Sequence, residues 1–268
     1  MNIFPPDKDI DVDAVLAGYL EEAKPCTYIK GEMRQDLRFK FQEKSGTIER
    51  AVVTEAAAES GMHYDGANSL FDSNCPSCKK CVSIRYPVAD FKRSRTQQDA
   101  WNLIPGRRVS FTFGFKNQDQ LNEHIGIAKT YYETRFPDHA AVLTAQQTLT
   151  APFLLNGKLP LNVIEVRTAD DQLVGGSINV ETQSAMIGVL YYYDISLMHL
   201  QPGRQIIMTL LEQCRELGKD HLYVGPWNPV NSSLANKTQL RPYELYVDKQ
   251  WHRFEQPVPN LKARGLTI

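Results

Sequence analysis

The chain contains no long uninterrupted apolar run, so no membrane-spanning helix is expected. Its first residues, MNIFPPDKDIDVDAV, lack the basic and then apolar pattern of a secretory signal. These two absences lead to the expectation of a cytoplasmic protein with no membrane partner. Charge of one sign is not in excess. Thirty Lys and Arg against 31 Asp and Glu leave a formal net charge of -1, which argues against broad, non-specific binding of nucleic acid. No internal repeat and no low-complexity tract is present. The six histidines are scattered without metal-type spacing, and no Ser-His-Asp or Cys-His pairing emerges. Cysteine is scarce, with five in 268 residues. In a reducing compartment this excludes a disulfide framework and makes clustered thiols read as ligands or redox groups.

What the chain does have is a composition with 42% hydrophobic residues, enough for a sizeable core, and a length that suits two domains. Local basic stretches occur at DFKRSRTQQ (90–98) and PGRRVSF (105–111). Three of the five cysteines, Cys75, Cys78 and Cys81, stand in NCPSCKKC. The C-x2-C-x2-C spacing lets one loop fold three soft thiolates around a single centre. That spacing favours an iron–sulfur cluster, and a closed four-thiolate site fits structural zinc equally well.

Up to about residue 110 the chain is rich in turn formers. The pattern then changes. Leu121, Ile125, Ala128 and Tyr132 recur at helical spacing and predict a helix over 117–136. LNVIEVRT, QLVGGSINVE and SAMIGVLYYYD predict three strands, with Gly175-Gly176 marking a bulge. PGRQIIMTLLEQCRELGKD predicts a helix over 202–220. Its apolar face takes in Cys214, which is therefore a core residue, and Gly218 suits its C-terminus. HLYVGPW follows as another strand. Strands in series, then a helix opening from a tight turn, then a strand, imply an α+β fold with an acetyltransferase-like (GNAT) C-terminal half. The turn before such a helix cradles a pyrophosphate with backbone N–H groups. Here Gly203 takes the first small-residue position, Gln205 occupies the second, and Pro202 removes a donor. Coenzyme A is therefore not expected as a ligand.

Four stretches then matter together: PCTYIKG (25–31), CPSCKKCVSIRYPVADFKRSRTQ (75–97), YYYDISLMHLQPGRQIIMTLLEQCRELG (191–218) and LYVGPWNPVNSSLANKTQLRPYELYVDKQW (222–251). In this order and spacing the chain resembles the aminoacyl-tRNA–protein transferases of the arginyltransferase family, whose bacterial branch includes leucyltransferases acting on N-terminal aspartate or glutamate. The resemblance implies a cysteine-rich N-terminal domain, placed at 1–112, and a GNAT-like transferase domain at 113–268. It implies an aminoacyl-tRNA donor carrying Arg or Leu, and a protein or peptide N-terminus as acceptor. It also implies a cluster or metal at Cys26, Cys75, Cys78 and Cys81, with Cys26 as the fourth ligand. Asp194 matches the acidic residue after the aromatic strand and is the expected catalytic carboxylate, facing the turn at Gly203. Tyr191, Tyr193, Gly203, Trp227, Lys237, Arg241, Arg85, Arg95 and His63 are the expected substrate-binding positions.

The departures from the family pattern are specific. GMHYDG (61–66) stands where bacterial members carry Gly-Phe-Arg-Arg-Ser-Gly, so His63 and Tyr64 replace two arginines and Asp65 a serine. Gln98 and Asp99 replace two more arginines. Each lost phosphate contact weakens tRNA binding and its salt dependence. Two other functions follow as alternatives: the same donor with a peptide or small-molecule amine as acceptor, or a metal-bearing binding protein without catalysis.

Overall fold

The computed structural model describes residues 15–26, 28–66, 69–73, 75, 78–135 and 161–256. It is a mixed α+β structure built on two sheets and a short ribbon. A four-stranded sheet of order β1-β4-β6-β5 comprises Leu16–Leu20, Asp36–Phe41, Ser69–Ser73 and His63–Tyr64. β2 (Lys24–Pro25) and β3 (Met33–Arg34) form the ribbon. Helix α1 (Thr47–Glu59) buries Ala51, Val53, Ala57 and Ala58. Its start is held by the Glu49 carboxylate, which accepts the Gly46 N–H at 2.5 Å.

The second sheet has eight strands in the order β14-β13-β7-β12-β11-β10-β9-β8. They are Gln250–Phe254, Tyr243–Val247, Val82–Pro87, His221–Trp227, Ala185–Tyr193, Leu173–Glu181, Leu161–Arg167 and Arg108–Thr112. β7 and β8 precede residue 113, so the expected division at 112/113 does not coincide with a break in this sheet. The predicted bulge also appears: the pairing of β10 with β9 slips between Leu173 and Gly175.

Helices cover the sheet on both faces. α4 (Pro202–Glu216) packs Ile206, Met208, Leu210, Leu211 and Cys214 into one core. α3 (Gln118–Arg135) brings Ala128 and His124 to the other face, which it shares with α1. Burial from both sides is why β9, β10 and β11 read as nearly continuous apolar runs. Between α1 and α3 in the chain lies the short α2 (Arg95–Trp101), capped by Ser94, whose Oγ accepts the Gln97 N–H.

Local sequence accounts for the ends of α4. Pro202 takes the first helical position, where its missing N–H leaves no bond unmade. At the far end Gly218 sits at φ +67°. There the Lys219 N–H reaches Cys214 O at 2.8 Å and the Gly218 N–H reaches Arg215 O at 3.1 Å, the paired bonds of a Schellman ending. Among the described residues no helix is long and apolar enough to cross a membrane.

α4 links the one parallel pair in the large sheet. β11 and β12 are in register only over Ala185, Met186 and Ile187 against His221, Leu222 and Tyr223. Beyond these residues the strands part. On its other edge β12 slips register against β7 between Tyr223 and Pro226, with Gly225 at φ +73°.

Candidate active site

A cavity of about 580 Å³ occupies the parting of β11 and β12. Gly188, Val189, Leu190, Tyr191 and Tyr193 form the β11 wall, and Val224, Gly225 and Pro226 the β12 wall. One end reaches the N-terminus of α4 at Pro202, Gly203 and Arg204. The other reaches the small sheet and ribbon at Tyr28, Arg34, Arg38, His63, Tyr64 and Asp65. The chain therefore brings its N-terminal segment and its C-terminal half together around one space.

The β11 wall is aromatic. Tyr193 packs edge-on against Tyr131 of α3, with ring centroids 4.5 Å apart. Among the described residues, the Tyr191 hydroxyl is buried without a hydrogen-bond partner. It stands over Gly188, and a Cβ added there would lie 1.5 Å from the Tyr191 oxygen. Tyr132 donates its hydroxyl to Tyr191 O at 3.3 Å and braces the wall from α3.

The N-terminal end carries arginines, yet its charge is already balanced. Arg34 pairs with Asp36 at 2.6 Å. Arg38 pairs with Glu21 at 2.6 Å and with Asp65 at 2.7 Å, with Asp36 at 3.7 Å. Two cations thus face three carboxylates. His63 adds no charge, since burial, assisted by Lys237 and Arg34, pushes its pKa down to about 3. Ser83 spends its hydroxyl proton on Gly61 O, so His63 Nε2 donates to Ser83 Oγ at 3.1 Å. At the α4 end Arg204 is held by the side chains of Gln201 and Gln239, and among the described residues Arg135 Nε is buried without a hydrogen-bond partner.

Of the residues expected from the sequence, Tyr191, Tyr193, Gly203, His63 and Lys237 line this cavity. The others are elsewhere. Asp194 follows the last residue of β11 and is not among the residues lining the space. It caps a 3-10 turn (Ile195–Leu200), with Oδ1 accepting the Ser196 N–H at 2.9 Å and the Ser196 hydroxyl at 2.7 Å. Trp227 is buried and donates Nε1–H to Ala235 O at 3.3 Å, which anchors the segment leading to Lys237. Arg85 is engaged by Glu59 at 2.8 Å and Glu244 at 2.6 Å and lies over the Trp251 ring. Arg95 is exposed at the start of α2, and Arg241 donates to Gln256 Oε1 at 3.2 Å. Gln205 points into the core, where Nε2 bonds the carbonyl of Ala100 and, at 3.2 Å, that of Leu200. The sequence reading did not single out Tyr28, Arg34, Arg38, Arg135 or Arg204. Tyr28 lay within the PCTYIKG stretch, but nothing local marks the arginines as neighbours of β11.

The four N-terminal cysteines share a neighbourhood. Burial pushes the Cys81 thiol up, a hydrogen bond from Asn228 opposes this, and the charges of Cys26, Cys75 and Cys78 push it further. Two of the sulfurs already accept hydrogen bonds: Cys81 from Asn228 Nδ2 at 3.2 Å and Cys26 from the Tyr28 N–H at 3.4 Å. Among the described residues no three Cys, His, Asp or Glu side chains are gathered closely enough to hold one ion.

Comparison with known proteins matches both halves of this architecture. An aspartate/glutamate leucyltransferase of Nitrosococcus oceani is 23% identical over 233 residues, covering 87% of this chain and 94% of its own. One from Halorhodospira halophila is 27% identical over 205 residues, covering 74% and 81%. Among solved structures, L-PGS from Bacillus licheniformis aligns with a TM-score of 0.43 at 9% identity over 56% of this chain and 46% of that one, a likeness too distant to bear on the chemistry. Residues 24–99 match the family described as arginine-tRNA-protein transferase, N terminus, and residues 123–247 match its C terminus. These two segments supply the opposite ends of the cavity, and the chain belongs to the arginine-tRNA-protein transferase family.

Proposed function

We propose that this protein transfers an amino acid, arginine or leucine, from tRNA to the N-terminal amine of a protein. The observation that carries the reading is the cavity at the parting of β11 and β12, walled at one end by the N-terminus of α4 and at the other by the small sheet. We read the large sheet as acetyltransferase-like, with the aminoacyl ester lying in the parting. The ester is already activated, so the protein has to align it with the amine, relieve the amine of a proton and stabilise the tetrahedral intermediate. No nucleotide hydrolysis is required. The cysteine quartet is proposed to serve the stability of the N-terminal segment, with iron–sulfur or zinc as the group its thiols would hold.

A second reading of the acceptor is favoured by the charge count at the N-terminal end. Arg34 and Arg38 are spent on Glu21, Asp36 and Asp65, and His63 is neutral. An acidic acceptor side chain would lose its hydration beside three carboxylates, with Arg34 and Arg38 already engaged. An acceptor that begins with an uncharged residue, or a small amine, meets tyrosines instead. The experiment for both readings offers the purified protein a pool of charged, isotope-labelled tRNAs together with peptides differing only in their first residue. Label is expected to pass to peptide from one or two tRNAs, and uncharged N-termini are expected to outcompete Asp and Glu. Transfer confined to Asp and Glu peptides would remove the second reading, and transfer to none of the peptides or amines would remove the first as well.

Asp194 belongs in this account as a cap. Asp194→Asn preserves the cap and is expected to leave transfer close to wild type, whereas Asp194→Ala costs about 1 kcal/mol of stability. Thermal melts beside a transfer assay check both values. A drop of roughly 10²-fold or more in the Asn variant would put the carboxylate back into the reaction.

A further inference from the structure

Among the described residues Lys237 is the one lysine that lines the cavity, and its surroundings are unusual for a cation. Its Nζ donates to Val224 O at 2.5 Å and to Pro226 O at 2.7 Å. Both carbonyls belong to the stretch of β12 where the register slips and Gly225 takes φ +73°. The loop carrying Lys237 is fixed from behind, where Tyr86 of β7 donates its hydroxyl to Lys237 O at 2.5 Å and Trp227 bonds Ala235 O. The amine is thus held by packed groups at the strand edge where the ester is placed.

Geometry then limits what the amine can do. Two carbonyls take two of its N–H bonds. The remaining tetrahedral position is an N–H in the ammonium and a lone pair in the neutral amine. Burial pushes the pKa of Lys237 down to about 7, with the thiol of Cys81 pulling the other way. His63 on β5 also interacts with Lys237 and is itself held neutral, and the Tyr86 hydroxyl is engaged by the Lys237 carbonyl. Near neutral pH a substantial fraction of Lys237 therefore presents a lone pair. A peptide α-amine has an ordinary pKa of about 7.7–8.0, close enough for exchange of a proton between the two.

We propose that Lys237 accepts the proton of the acceptor amine as it attacks the aminoacyl ester, and returns that proton to the departing ribose oxygen. A C–N bond forms, the ester C–O bond breaks, and the proton moves from nitrogen to Nζ to oxygen, so no further reactant is needed. This deepens the transfer reading above and rests on it. It differs from the role implied by family resemblance, in which Lys237 contributes only charge toward a phosphate or an acidic acceptor.

Two substitutions separate base from charge. Lys237→Gln keeps an N–H donor for the carbonyls and removes the base. Lys237→Arg keeps the charge and cannot lose its proton at accessible pH. Both are expected to lower kcat by roughly 10²–10⁴-fold with KM for the charged tRNA little changed, and to abolish the rise of kcat with pH through about 7. An Arg variant near the wild-type rate would overturn the proposal and leave the transferase reading intact. Wild-type protein inactive with every charged tRNA would overturn both. A measurement on the wild type alone covers variants that fail to fold: trace labelling with acetic anhydride across pH, read at the Lys237 peptide by mass spectrometry. Half-maximal reactivity near pH 7 is the expected result, and an ordinary lysine value of about 10.4 would sink the idea.

Discussion

Gly188→Ala is expected to stop transfer while leaving the protein folded. A Cβ at this position would stand 1.5 Å from the Tyr191 hydroxyl and 2.4 Å from the carbon that bears it. No relaxation of a few tenths of an ångström removes such an overlap, so the Tyr191 ring must take another rotamer. Among the described residues its hydroxyl has no hydrogen bond to lose by moving. The open space beside it is the cavity. The cost to stability is thus of the order of a rotamer change, about 0.5–1.5 kcal/mol. The cost to activity is much larger, because a phenol displaced into the parting of the strands occupies the ester's place, and even small misplacement of reacting groups costs about 10²-fold. Single-turnover transfer and a thermal melt measure the two effects separately. Comparison with Tyr191→Ala identifies the cause: with the ring absent, the added methyl is expected to have little further effect, so the double variant should match Tyr191→Ala alone. A folded Gly188→Ala protein with wild-type transfer would show that the ring finds room elsewhere.

The largest expected loss of stability comes from His124→Ala. His124 is fully buried between α3 and the large sheet. Its Nε2 donates to Glu165 Oε1 at 2.7 Å, which leaves Nδ1 to accept the Tyr192 hydroxyl at 2.5 Å. Burial pushes the Glu165 carboxyl up, but donors from His124, Arg167, Ser110 and Gln120 together hold it well below the usual carboxylate range. Removing the imidazole leaves a buried hydroxyl unpartnered, takes one donor from a buried carboxylate and opens a void. Partners left unsatisfied in this way cost about 1–3 kcal/mol each, so about 3 kcal/mol in total is expected. For a chain of this size that is roughly 6–12 °C in Tm. The pH dependence follows from the depressed carboxyl. Its contribution is fully present above the ordinary Glu value of about 4.3 and fades as pH falls through the lower folded value. The gap between wild type and variant should therefore be widest at neutral pH and narrow in acid. An equal gap at pH 7 and pH 3 would show that packing, and not the ionised network, sets the cost.

Part of this structure follows from neighbouring residues alone. The helix expected over 117–136 is α3 (Gln118–Arg135), with Asn117 Oδ1 accepting the Gln120 N–H at 2.8 Å at its start; residue 136 lies outside the described residues. α4 begins at Pro202 and gives way at Gly218, as its proline, its apolar period and its glycine require. Cys214 faces the core as the helical period places it. The N-terminal segment was less legible. α1 presents mostly alanine and valine to the core, a weak stripe, and its start signal is a glutamate reaching back to a glycine. β7 sits in a turn-rich stretch and joins the large sheet only through β12 and β13, strands more than a hundred residues later.

The sequence by itself determined the α+β alternation after residue 117, the ends of α4 and, through four ordered stretches, the family. These depend on spacing within a turn, a strand or a motif, which chain connectivity transmits directly. Only the tertiary structure decided which charges are free. Arg85 and Lys237 are equally basic in the sequence, yet one is spent on Glu59 and Glu244 and the other faces a cavity between two carbonyls. Asp194 stands next to the cavity tyrosines in sequence, but its carboxylate is taken up by the Ser196 N–H and hydroxyl. The same holds for Arg34 and Arg38, whose neutralisation by Glu21, Asp36 and Asp65 requires the small sheet to be assembled. The physical reason is common to all of these. A side chain's charge, pKa and access are set by partners within a few ångströms in space, and the long-range strand pairing that brings β11, β12 and the N-terminal sheet around one cavity is what supplies those partners.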